Sequence, residues 1–511
     1  MPHEERVAEL ARRRQAALAM GGEKRLAARA ERGLLNARQR LDRLLDKGSF
    51  KEVGLFATSL NPDDLEITPA DGKVTGFGRI AGRRVAIASN DLTVKGASSN
   101  SINSKKITFI KDTATRTGMP IVYLGESSGA RMPDVMGAVA MGLMGQDPEQ
   151  YIRRREVPWV SAVLGPCYGS SSWYAALSDF VVMRKGAELA VSSARVTSLA
   201  ISEDIDPQEL GGWRLHAETT GMIDLATESD EEALEAVGRF LSYLPSHHGE
   251  APPRAAVPAG SETASAAMLD LVPEERQKTY DVHRVIEAMV DRESFFPLKG
   301  RFGRVAVTGL CRLDGHPVGI VANNPRVKGG AMDVDSCDKV TSFLVLCDSF
   351  NIPIVLLVDT PGFLVGIEGE RRKAPGKIMN FMHALQLCSV PRISIIMRKT
   401  YGQAFLNMGG GRNSDEIAAW TTAEVSFMAP DIGVSVVHGV TPQSDPQRYE
   451  ELYQSMQRDS SAYDVARCFG AQDVIDPRRT REYLIEALDF HRRDITGGVG
   501  RHEMRTWPTT Y

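Results

Sequence analysis

Cysteine is scarce in this sequence, and its spacing argues against two kinds of stabilising site. Only six cysteines occur among 511 residues, and no two of them form a C-x-x-C pair. Scattered cysteines of this kind disfavour both a zinc site and a disulfide framework. We therefore predict no metal centre and a reducing compartment, the cytoplasm.

Long apolar runs and a surplus of one charge are also missing. No apolar run approaches the roughly 20 residues that a membrane-spanning helix needs. The first residues, MPHEERVAELARRRQAAL, are charged and lack the apolar core of a signal peptide. The formal net charge of -4 provides no basic surplus for a nucleic acid to bind. We expect neither a membrane nor a nucleic acid among the partners.

What the chain does contain is an internal repeat. Tyr168-Gly169 recurs later in the chain as Tyr401-Gly402. The offset between these two pairs, called the repeat offset below, also relates Val74 to Val307, Gly82 to Gly315, Lys106 to Lys339, Pro120 to Pro353, Gly129 to Gly362 and Val157 to Val390. A constant offset without a gap indicates two copies of one domain. Strand-like and helix-like runs alternate through both copies, which favours an α/β fold.

The repeat is clearest around one strand-to-helix turn. An apolar run, residues 160–164, leads into Gly165-Pro166-Cys167-Tyr168-Gly169, and small residues then open a helix-like segment. A turn of this kind leaves backbone N–H groups free to hold a developing negative oxygen. Each copy is therefore predicted to build one such turn.

A segment rich in proline, alanine and serine separates the two copies. We predict a first domain over residues 1–248, including a helical N-terminal extension, and a second over residues 267–511. Residues 249–266 are predicted to form the linker between them.

Three short motifs allow other interpretations. Residues 125–129 read G-x-S-x-G, the pattern around a hydrolase nucleophile, but the matching turn at residues 358–362 contains no serine. Cys167 could be an activated nucleophile, although a buried structural role is favoured. The basic cluster at residues 153–155 is predicted to be solvated surface, with binding of a polyphosphate group as the alternative. A serine hydrolase stays open as a less favoured interpretation.

Several longer motifs together resemble the carboxyltransferase (β) subunit of biotin-dependent acyl-CoA carboxylases, of the propionyl-CoA carboxylase kind. The family's opening segment is similar to GGEKR at residues 21–25 and ARQRLDRLLDKGSF at residues 37–50. Its two central turns resemble SSGAR at residues 127–131 and GPCYGS at residues 165–170. In the second copy, VDTPGFLVG, RKTYGQAF and WTTAE match further family motifs. The resemblance covers nearly the whole chain.

The resemblance implies a fold, an assembly and a chemistry. The fold would be two duplicated crotonase-like domains, and the assembly a homo-oligomer, a hexamer, working with a biotin carboxylase and biotin carrier subunit. The first domain would bind the acyl-CoA thioester and the second the biotin carried on the separate protein. Two oxyanion holes would follow, from the N–H groups of Gly169 and Ser170 in the first domain and of Gln403 and Ala404 in the second. The residues implied to line the coenzyme A and biotin sites are Ser128, Gly129, Ala130, Arg131, Gly165, Pro166, Cys167, Tyr401 and Gly402.

The chain departs from the family pattern at both turns. Ser170 and Gln403 each stand where the family has a second glycine. The residues after Lys95 read GASSN instead of GGSLG, and Glu368 begins EGERRKAPG in place of a different family segment. Backbone N–H donors survive such changes, whereas an added Cβ alters the space beside them.

Three functions follow from these observations. The leading hypothesis is an acyl-CoA carboxyltransferase subunit, because the chain has neither a biotin-attachment Met-Lys-Met nor an ATP-grasp module of its own. The alternative is a biotin-independent acyl-CoA decarboxylase, or another CoA-thioester enzyme, on the same scaffold. The third is a non-catalytic paralogue that only assembles with an active subunit.

Overall fold

The computed structural model describes residues 3–142 and 148–508 of the chain. It divides into two compact units, residues 1–249 and 250–511. Within the described ranges, no helix is both long enough and apolar enough to cross a membrane. No group of three or more His, Cys, Asp or Glu side chains that could hold a metal ion is found in those ranges either.

The first unit combines one sheet with surrounding helices. Its strands are β1 (Lys51–Val53), β2 (Lys73–Ile80), β3 (Arg83–Asn90), β4 (Ile121–Ser127), β5 (Trp159–Tyr168), β6 (Phe180–Arg184), β7 (Glu188–Ala190) and β8 (Leu225–Thr227). Its helices are α1 (His3–Leu18), α2 (Glu23–Ala30), α3 (Ala37–Leu44), α4 (Ser101–Thr117), α5 (Met132–Val135), α6 (Ala138–Gly142), α7 (Pro148–Ile152), α8 (Ser170–Ala176), α9 (Ala194–Ile201), α10 (Pro207–Gly211) and α11 (Asp230–Tyr243).

The second unit has the same organisation. Its strands are β9 (Phe296–Leu298), β10 (Ala306–Leu313), β11 (His316–Asn323), β12 (Ile354–Thr360), β13 (Arg392–Tyr401), β14 (Glu416–Trp420), β15 (Glu424–Ser426) and β16 (Asp473–Ile475). Its helices are α12 (Met268–Leu271), α13 (Val282–Met289), α14 (Val334–Ser349), α15 (Ile367–Arg371), α16 (Ala374–Leu387), α17 (Gln403–Asn407), α18 (Pro430–His438), α19 (Pro446–Gln457), α20 (Ala462–Arg467) and α21 (Thr480–Phe490).

The two sheets repeat one topology strand for strand. The first runs β1-β2-β3-β4-β5-β6-β8, with β7 paired to β5, and the second runs β9-β10-β11-β12-β13-β14-β16, with β15 paired to β13. In each sheet an antiparallel hairpin feeds a parallel set, β3 to β6 in the first and β11 to β14 in the second. The central strands β4 and β12 are buried along their whole length, as expected of parallel strands covered on both faces. The predicted duplication is therefore visible in the sheet order.

Local sequence signals set the ends of the helices that flank the turns. Asn100 caps α4 by accepting hydrogen bonds from the N–H groups of Ile102 and Asn103, and Gly118 ends the helix in the left-handed region. Asp333 caps α14 in the same way, through the N–H of Ser336. These caps fix the direction in which each helix leaves the carboxyl end of its strand.

The repeated lysines have one structural task in both units. Lys106 is buried and its Nζ donates to the carbonyl oxygens of Ala70 and Lys73. Lys339 is buried and its Nζ donates to the carbonyl oxygens of Lys299, Phe302 and Ala306. An ammonium group surrounded by carbonyl oxygens ties a loop to the neighbouring hairpin. The matched lysines are therefore explained by folding.

The basic cluster at residues 153–155 corrects one expectation. Arg153 and Arg155 are buried, and both guanidinium groups pair with the Asp179 carboxylate. The prediction of a solvated surface is wrong for these two arginines, because the fold places an acidic side chain from a distant part of the sequence beside them. A buried ion pair of this kind does not leave the two arginines free for a phosphate group.

The proline-rich segment after residue 249 packs against the β10–β11 hairpin of the second unit, to which it belongs. The Ala255 N–H donates to the Gly315 carbonyl oxygen, and the Arg254 guanidinium pairs with Asp314 at 2.5 Å. The linker boundary at residues 249–266 stays a prediction.

Candidate active site

Two adjacent turns form a concave site at the carboxyl end of the first sheet. One follows β4, where Gly129 has φ 101°, and the other follows β5, where Gly169 has φ 58° and ψ −126°. A Cβ built on Gly169 would lie 3.8 Å from the Cα of Gly129, so the two turns lie side by side. Both backbone conformations favour glycine, which explains why the sequence has glycine at these positions.

Three backbone N–H groups in these turns have no hydrogen-bond acceptor within the described residues. They belong to Ala130 in the turn after β4 and to Ser170 and Ser171, the first two residues of α8. The Gly169 N–H, in contrast, donates to the Val191 carbonyl oxygen at 3.2 Å. The arrangement can therefore direct the Ser170 and Ala130 donors at a substrate oxygen, while the Gly169 donor already has a partner.

The serine of the G-x-S-x-G motif holds the first turn in place. Ser127 is fully buried, and its Oγ donates to the Ala97 carbonyl oxygen at 3.0 Å and accepts from the Gly129 N–H at 3.2 Å. In the second unit, Thr360 makes the same two contacts with the Gly330 carbonyl oxygen and the Gly362 N–H. A hydroxyl occupied in this way, in a copy that uses threonine equally well, is a turn clamp and not an exposed nucleophile.

Arg131 and Ser128, both predicted to contact coenzyme A or biotin, have other partners. Arg131 is buried, and its guanidinium contacts the Asp71 carboxylate at 2.5 Å and the Ser98 carbonyl oxygen at 3.2 Å. The Ser128 N–H donates to the Gly96 carbonyl oxygen at 2.9 Å, and its side chain is exposed. Arg131 therefore stabilises the turn, whereas the Ser128 side chain is open to a ligand.

Gly165, Pro166 and Cys167 belong to β5 and support the second turn from within. A Cβ at Gly165 would come within 2.3 Å of the Glu126 carboxylate, so the strand passes directly over that buried group. Cys167 is fully buried, and burial raises the pKa of its thiol to about 12. A thiol with that pKa is protonated at neutral pH, so Cys167 does not have the character of a nucleophile.

The Glu126 carboxylate anchors an ion network that sequence reasoning missed. It pairs at 2.8 Å with both Arg29 and Arg40, and Arg40 also pairs with Asp230. All four side chains are buried. The network connects the N-terminal helices α2 and α3 to the strand that leads into the first turn. Only the fold could reveal it, since its members are far apart in the sequence.

A cavity of about 770 Å³ opens beside the first pair of turns. Ser99, Ala130, Gly169 and Ser170, from the two turns and the loop before α4, are among its lining residues. One wall is a single face of α4, made of Ser101, Ser104, Lys105, Thr108, Phe109 and Asp112. The helical rise places the ends of that stripe about 16 Å apart. The cavity is thus long enough to hold an extended chain that ends at the free N–H groups of the two turns.

The second unit builds the same pair of turns. Gly362 has φ 126°, and Gly402 has φ 59° and ψ −141°. The Gly402 N–H donates to the Ser426 carbonyl oxygen at 3.1 Å, as Gly169 does to Val191. The N–H groups of Gln403, Ala404 and Phe363 have no backbone acceptor in the part of the chain that the structure describes.

Phe363 is a donor that sequence reasoning missed. It stands at the repeat offset from Ala130, so the internal repeat contained the signal that could have found it. In the sequence, its large side chain conceals the equivalence with an alanine.

Tyr401, the residue before the second turn, belongs to a polar cluster. Its hydroxyl donates to Glu424 at 2.6 Å and accepts from Arg276 at 3.2 Å. Arg276 also contacts Asp431 and the hydroxyl of Tyr453. Burial, followed by the Glu424 carboxylate, raises the pKa of Tyr401 above its usual range, so the phenol stays protonated. This cluster holds the strand end that carries Gly402.

Comparison with known families decides what kind of protein carries these turns. The Carboxyl transferase domain family matches residues 28–496, which is most of the chain. The chain belongs to the carboxyl transferase family. The single match spans both units, so the two units of this carboxyl transferase together make up the family's domain.

Relatives of this carboxyl transferase match it over nearly its full length. The propionyl-CoA carboxylase carboxyltransferase subunit of Haloferax mediterranei is 36% identical over 501 residues, covering 96% of each chain. A methylmalonyl-CoA decarboxylase α subunit of Propionigenium modestum is 30% identical over 495 residues, covering 95% of each chain. Both chemistries named in the sequence hypotheses therefore occur among proteins similar to this one.

A solved structure agrees with the fold. The transcarboxylase 12S crystal structure, described as a hexamer assembly with methylmalonyl-coenzyme A and methylmalonic acid bound, superposes with a TM-score of 0.88. It is 33% identical, and the match covers 96% of each chain. The predicted family, the α/β fold of two crotonase-like domains and the enzyme class of acyl-CoA carboxyltransferase are confirmed.

Proposed function

We propose that this chain moves a carboxyl group between biotin, carried on a separate protein, and the α-carbon of an acyl-CoA thioester. One observation carries the proposal: the same pair of turns, each pair with unpartnered N–H groups, is built once in each unit. A transfer between two carbonyl-like centres needs one electrostatic site for each, and the chain supplies two.

In the first unit, the Ser170 and Ala130 N–H groups stabilise the enolate oxygen of the thioester. A backbone N–H fixed by a glycine turn costs no reorganisation when the negative charge develops on that oxygen. The cavity along α4 holds the rest of the substrate, with Gly169 and Gly129 keeping both turns narrow enough for close approach.

The second unit holds the ureido oxygen of biotin in the same way, through backbone N–H groups. The Gln403, Ala404 and Phe363 N–H groups are the donors, and the Gln403 side-chain amide is turned aside, donating to Asn407 at 3.0 Å. The Cβ that replaces a family glycine therefore carries a side chain with a partner of its own. Biotin, when bound, supplies the carboxyl group and the ring that accepts the α-proton. Tyr401 and Gly402 fix the strand end that presents the donors.

We also propose the assembly that the resemblance implies: a hexamer that works in the cytoplasm with a biotin carboxylase and biotin carrier subunit. The similar transcarboxylase 12S is described as a hexamer. Equivalent helices of the two units also expose apolar side chains: Leu199 is 75% exposed on α9, and Ile432, at the repeat offset from it, is 55% exposed on α18. Exposed apolar side chains at matched positions are typical of surfaces that become buried between subunits. The native mass of the purified protein tests this part of the proposal, since a monomer would contradict it.

The test of the chemistry uses the purified chain, a biotinylated carrier protein or free biotin, and a panel of malonyl-type CoA thioesters. Carbon dioxide release and carboxybiotin formation are followed with and without biotin. We expect turnover that depends on biotin. Loss of carbon dioxide at the same rate without biotin would instead assign the biotin-independent decarboxylase function; the similar Propionigenium modestum subunit belongs to a methylmalonyl-CoA decarboxylase. Tight CoA binding without either reaction would indicate a non-catalytic paralogue.

A further inference from the structure

The hydroxyl groups of Ser99 and Ser170, which both line the first cavity, form a hydrogen bond with each other. The two Oγ atoms are 2.8 Å apart, and both side chains are half-buried. Ser170 provides one of the free N–H groups of this site. The contact therefore joins that donor residue to the loop that precedes α4.

Ser99 also holds the Ala130 donor through its backbone. The Ser99 N–H donates to the Gly129 carbonyl oxygen, and the Ser99 carbonyl oxygen accepts from the Arg131 N–H, both at 2.8 Å. These two bonds grip the chain on either side of Ala130. Ser99 thus contacts both turns, one by backbone and one by side chain, and sets the separation of the Ala130 and Ser170 N–H groups.

The second unit provides an internal comparison. Met332 makes the same two backbone bonds, with the Gly362 carbonyl oxygen and the Leu364 N–H. A methionine has no hydroxyl to bridge to the second turn. The residue opposite it, Gln403, directs its amide to Asn407 instead. The side-chain bridge between the two turns is therefore a property of the first unit.

We propose that Ser99 is a positioning residue that locks the Ala130 and Ser170 N–H donors of the first site at the spacing that the enolate oxygen requires, through its hydroxyl contact with Ser170. The inference rests on the proposed carboxyltransferase function. It also assigns a task to Ser170, where the family has glycine. The Cβ of Ser170 adds bulk to a turn in which the family has glycine. The hydrogen bond between its hydroxyl and that of Ser99 keeps that turn in position.

The experiment is a double-substitution cycle with Ser99→Ala, Ser170→Ala and the combined variant, assayed by biotin-dependent transfer. Because donors misplaced by a fraction of an ångström lose much of their effect on the transition state, we expect kcat to fall about 10-fold to 100-fold in each single variant. KM for the CoA thioester should change less than about threefold, since the cavity wall is intact. The double variant should be no slower than either single one, because the same bond is lost in all three.

Rescue and a matched control separate positioning from a general packing effect. Ser99→Thr keeps the hydroxyl and should recover most of the lost kcat. Thr117→Ala removes an exposed hydroxyl at the end of α4, beyond the cavity wall, where it donates to the Thr113 carbonyl oxygen, and should leave both constants unchanged. Thermal unfolding of every variant checks that each protein is folded.

The outcomes distinguish the inference from the function on which it rests. If the wild-type chain turns over and the Ser99→Ala and Ser170→Ala variants match it, the inference is wrong and the function stands. Additive losses in the double variant would also overturn it, because they would show two independent roles. If the wild-type chain turns over no thioester at all, the proposed function fails, and the positioning role fails with it.

Discussion

At the scale of single residues, the site depends on the same few conformations used twice. Gly169 and Gly402 share φ values of 58° and 59°, and Gly129 and Gly362 lie at φ 101° and 126°. The side chains around them differ freely, as Ser127 and Thr360 show. What is kept between the two units is the direction of backbone N–H groups, which a change of side chain does not remove.

Replacing Ser127 by alanine tests the hydrolase interpretation of the G-x-S-x-G motif. The substitution leaves the Ala97 carbonyl oxygen and the Gly129 N–H without their hydroxyl partner, so we expect the free energy of unfolding to fall by about 1–3 kcal/mol. Transfer activity should fall less than about tenfold, because no bond to substrate is lost. Loss of a nucleophile would cost several orders of magnitude.

The second unit contains the matched control for this experiment. Thr360→Val removes the equivalent hydroxyl, which contacts the Gly330 carbonyl oxygen and the Gly362 N–H. We expect a similar loss of stability in urea unfolding. A thousandfold loss of activity in Ser127→Ala alone would return the serine to the catalytic role that the structure argues against.

At the scale of secondary-structure elements, buried lysines connect hairpins to the loops beside the turns. Lys73, at the start of β2, is fully buried and donates to the Ala97 carbonyl oxygen at 3.2 Å. Its equivalent in the second unit, at the repeat offset, is Ala306, which has no ammonium group. The strand therefore folds with or without a charged side chain at this position. Only the first unit bears the free-energy cost of burying the Lys73 ammonium group.

The pH dependence of stability should reveal that cost. Burial lowers the pKa of Lys73 to about 8, whereas in the unfolded chain it lies near 10.4. Between these values the unfolded chain binds a proton that the native protein has lost, so this lysine makes the free energy of unfolding rise with pH. Below about pH 8 both states carry the proton, and the native state bears the full penalty of the buried charge.

We therefore expect Lys73→Met to gain stability relative to the wild-type chain at pH 7 and to lose that advantage as the pH rises from 8 to 10. The difference should reach a few kcal/mol at most, about 1.4 kcal/mol for each unit of pKa. Urea unfolding at four pH values measures it, with the exposed Lys47→Met as a control that should show no trend. A difference independent of pH would show that the pKa of Lys73 is not lowered in the native protein.

At the scale of the whole molecule, duplication has produced two sites of one design and, in our proposal, two tasks. Each unit has its own eight-stranded sheet and its own pair of turns. The neighbours of the turns have diverged, with the Ser99–Ser170 contact in the first unit and the Arg276 cluster around Tyr401 in the second. One task for each unit predicts that equivalent substitutions have different effects.

Gly402→Ala and Gly169→Ala make that comparison. Each places a Cβ on a backbone near φ 60° and negative ψ, at a cost of about 1–3 kcal/mol, and at Gly402 the Cβ would also approach the Phe427 carbonyl oxygen to 3.0 Å. Transfer to biotin should fall at least about tenfold in both variants. Equilibrium binding of a CoA thioester should weaken only in Gly169→Ala. Weakened CoA binding in Gly402→Ala as well would contradict the division of tasks.

The sequence by itself determined the duplication, the fold class and the position of both turns. The turns could be located from the sequence because the backbone at four positions has positive φ or lies close to another chain segment, which favours glycine. These positions are Gly129, Gly169, Gly362 and Gly402. Because the preference for glycine depends on local backbone geometry, it can be recognised without knowing the fold. The constant offset between the two copies predicted the duplication, because the same turns in both copies need the same residues.

Only the tertiary structure decided which atoms at those turns are free. The Gly169 N–H donates to the Val191 carbonyl oxygen, the Ser127 hydroxyl to the Ala97 carbonyl oxygen, and the Arg131 guanidinium to Asp71, and in each case the partner comes from another segment of the chain. The hydroxyl contact between Ser99 and Ser170 likewise joins residues from two separate segments of the chain. Hydrogen bonds between distant segments depend on how strands are ordered in the sheet, and a linear pattern does not contain that order.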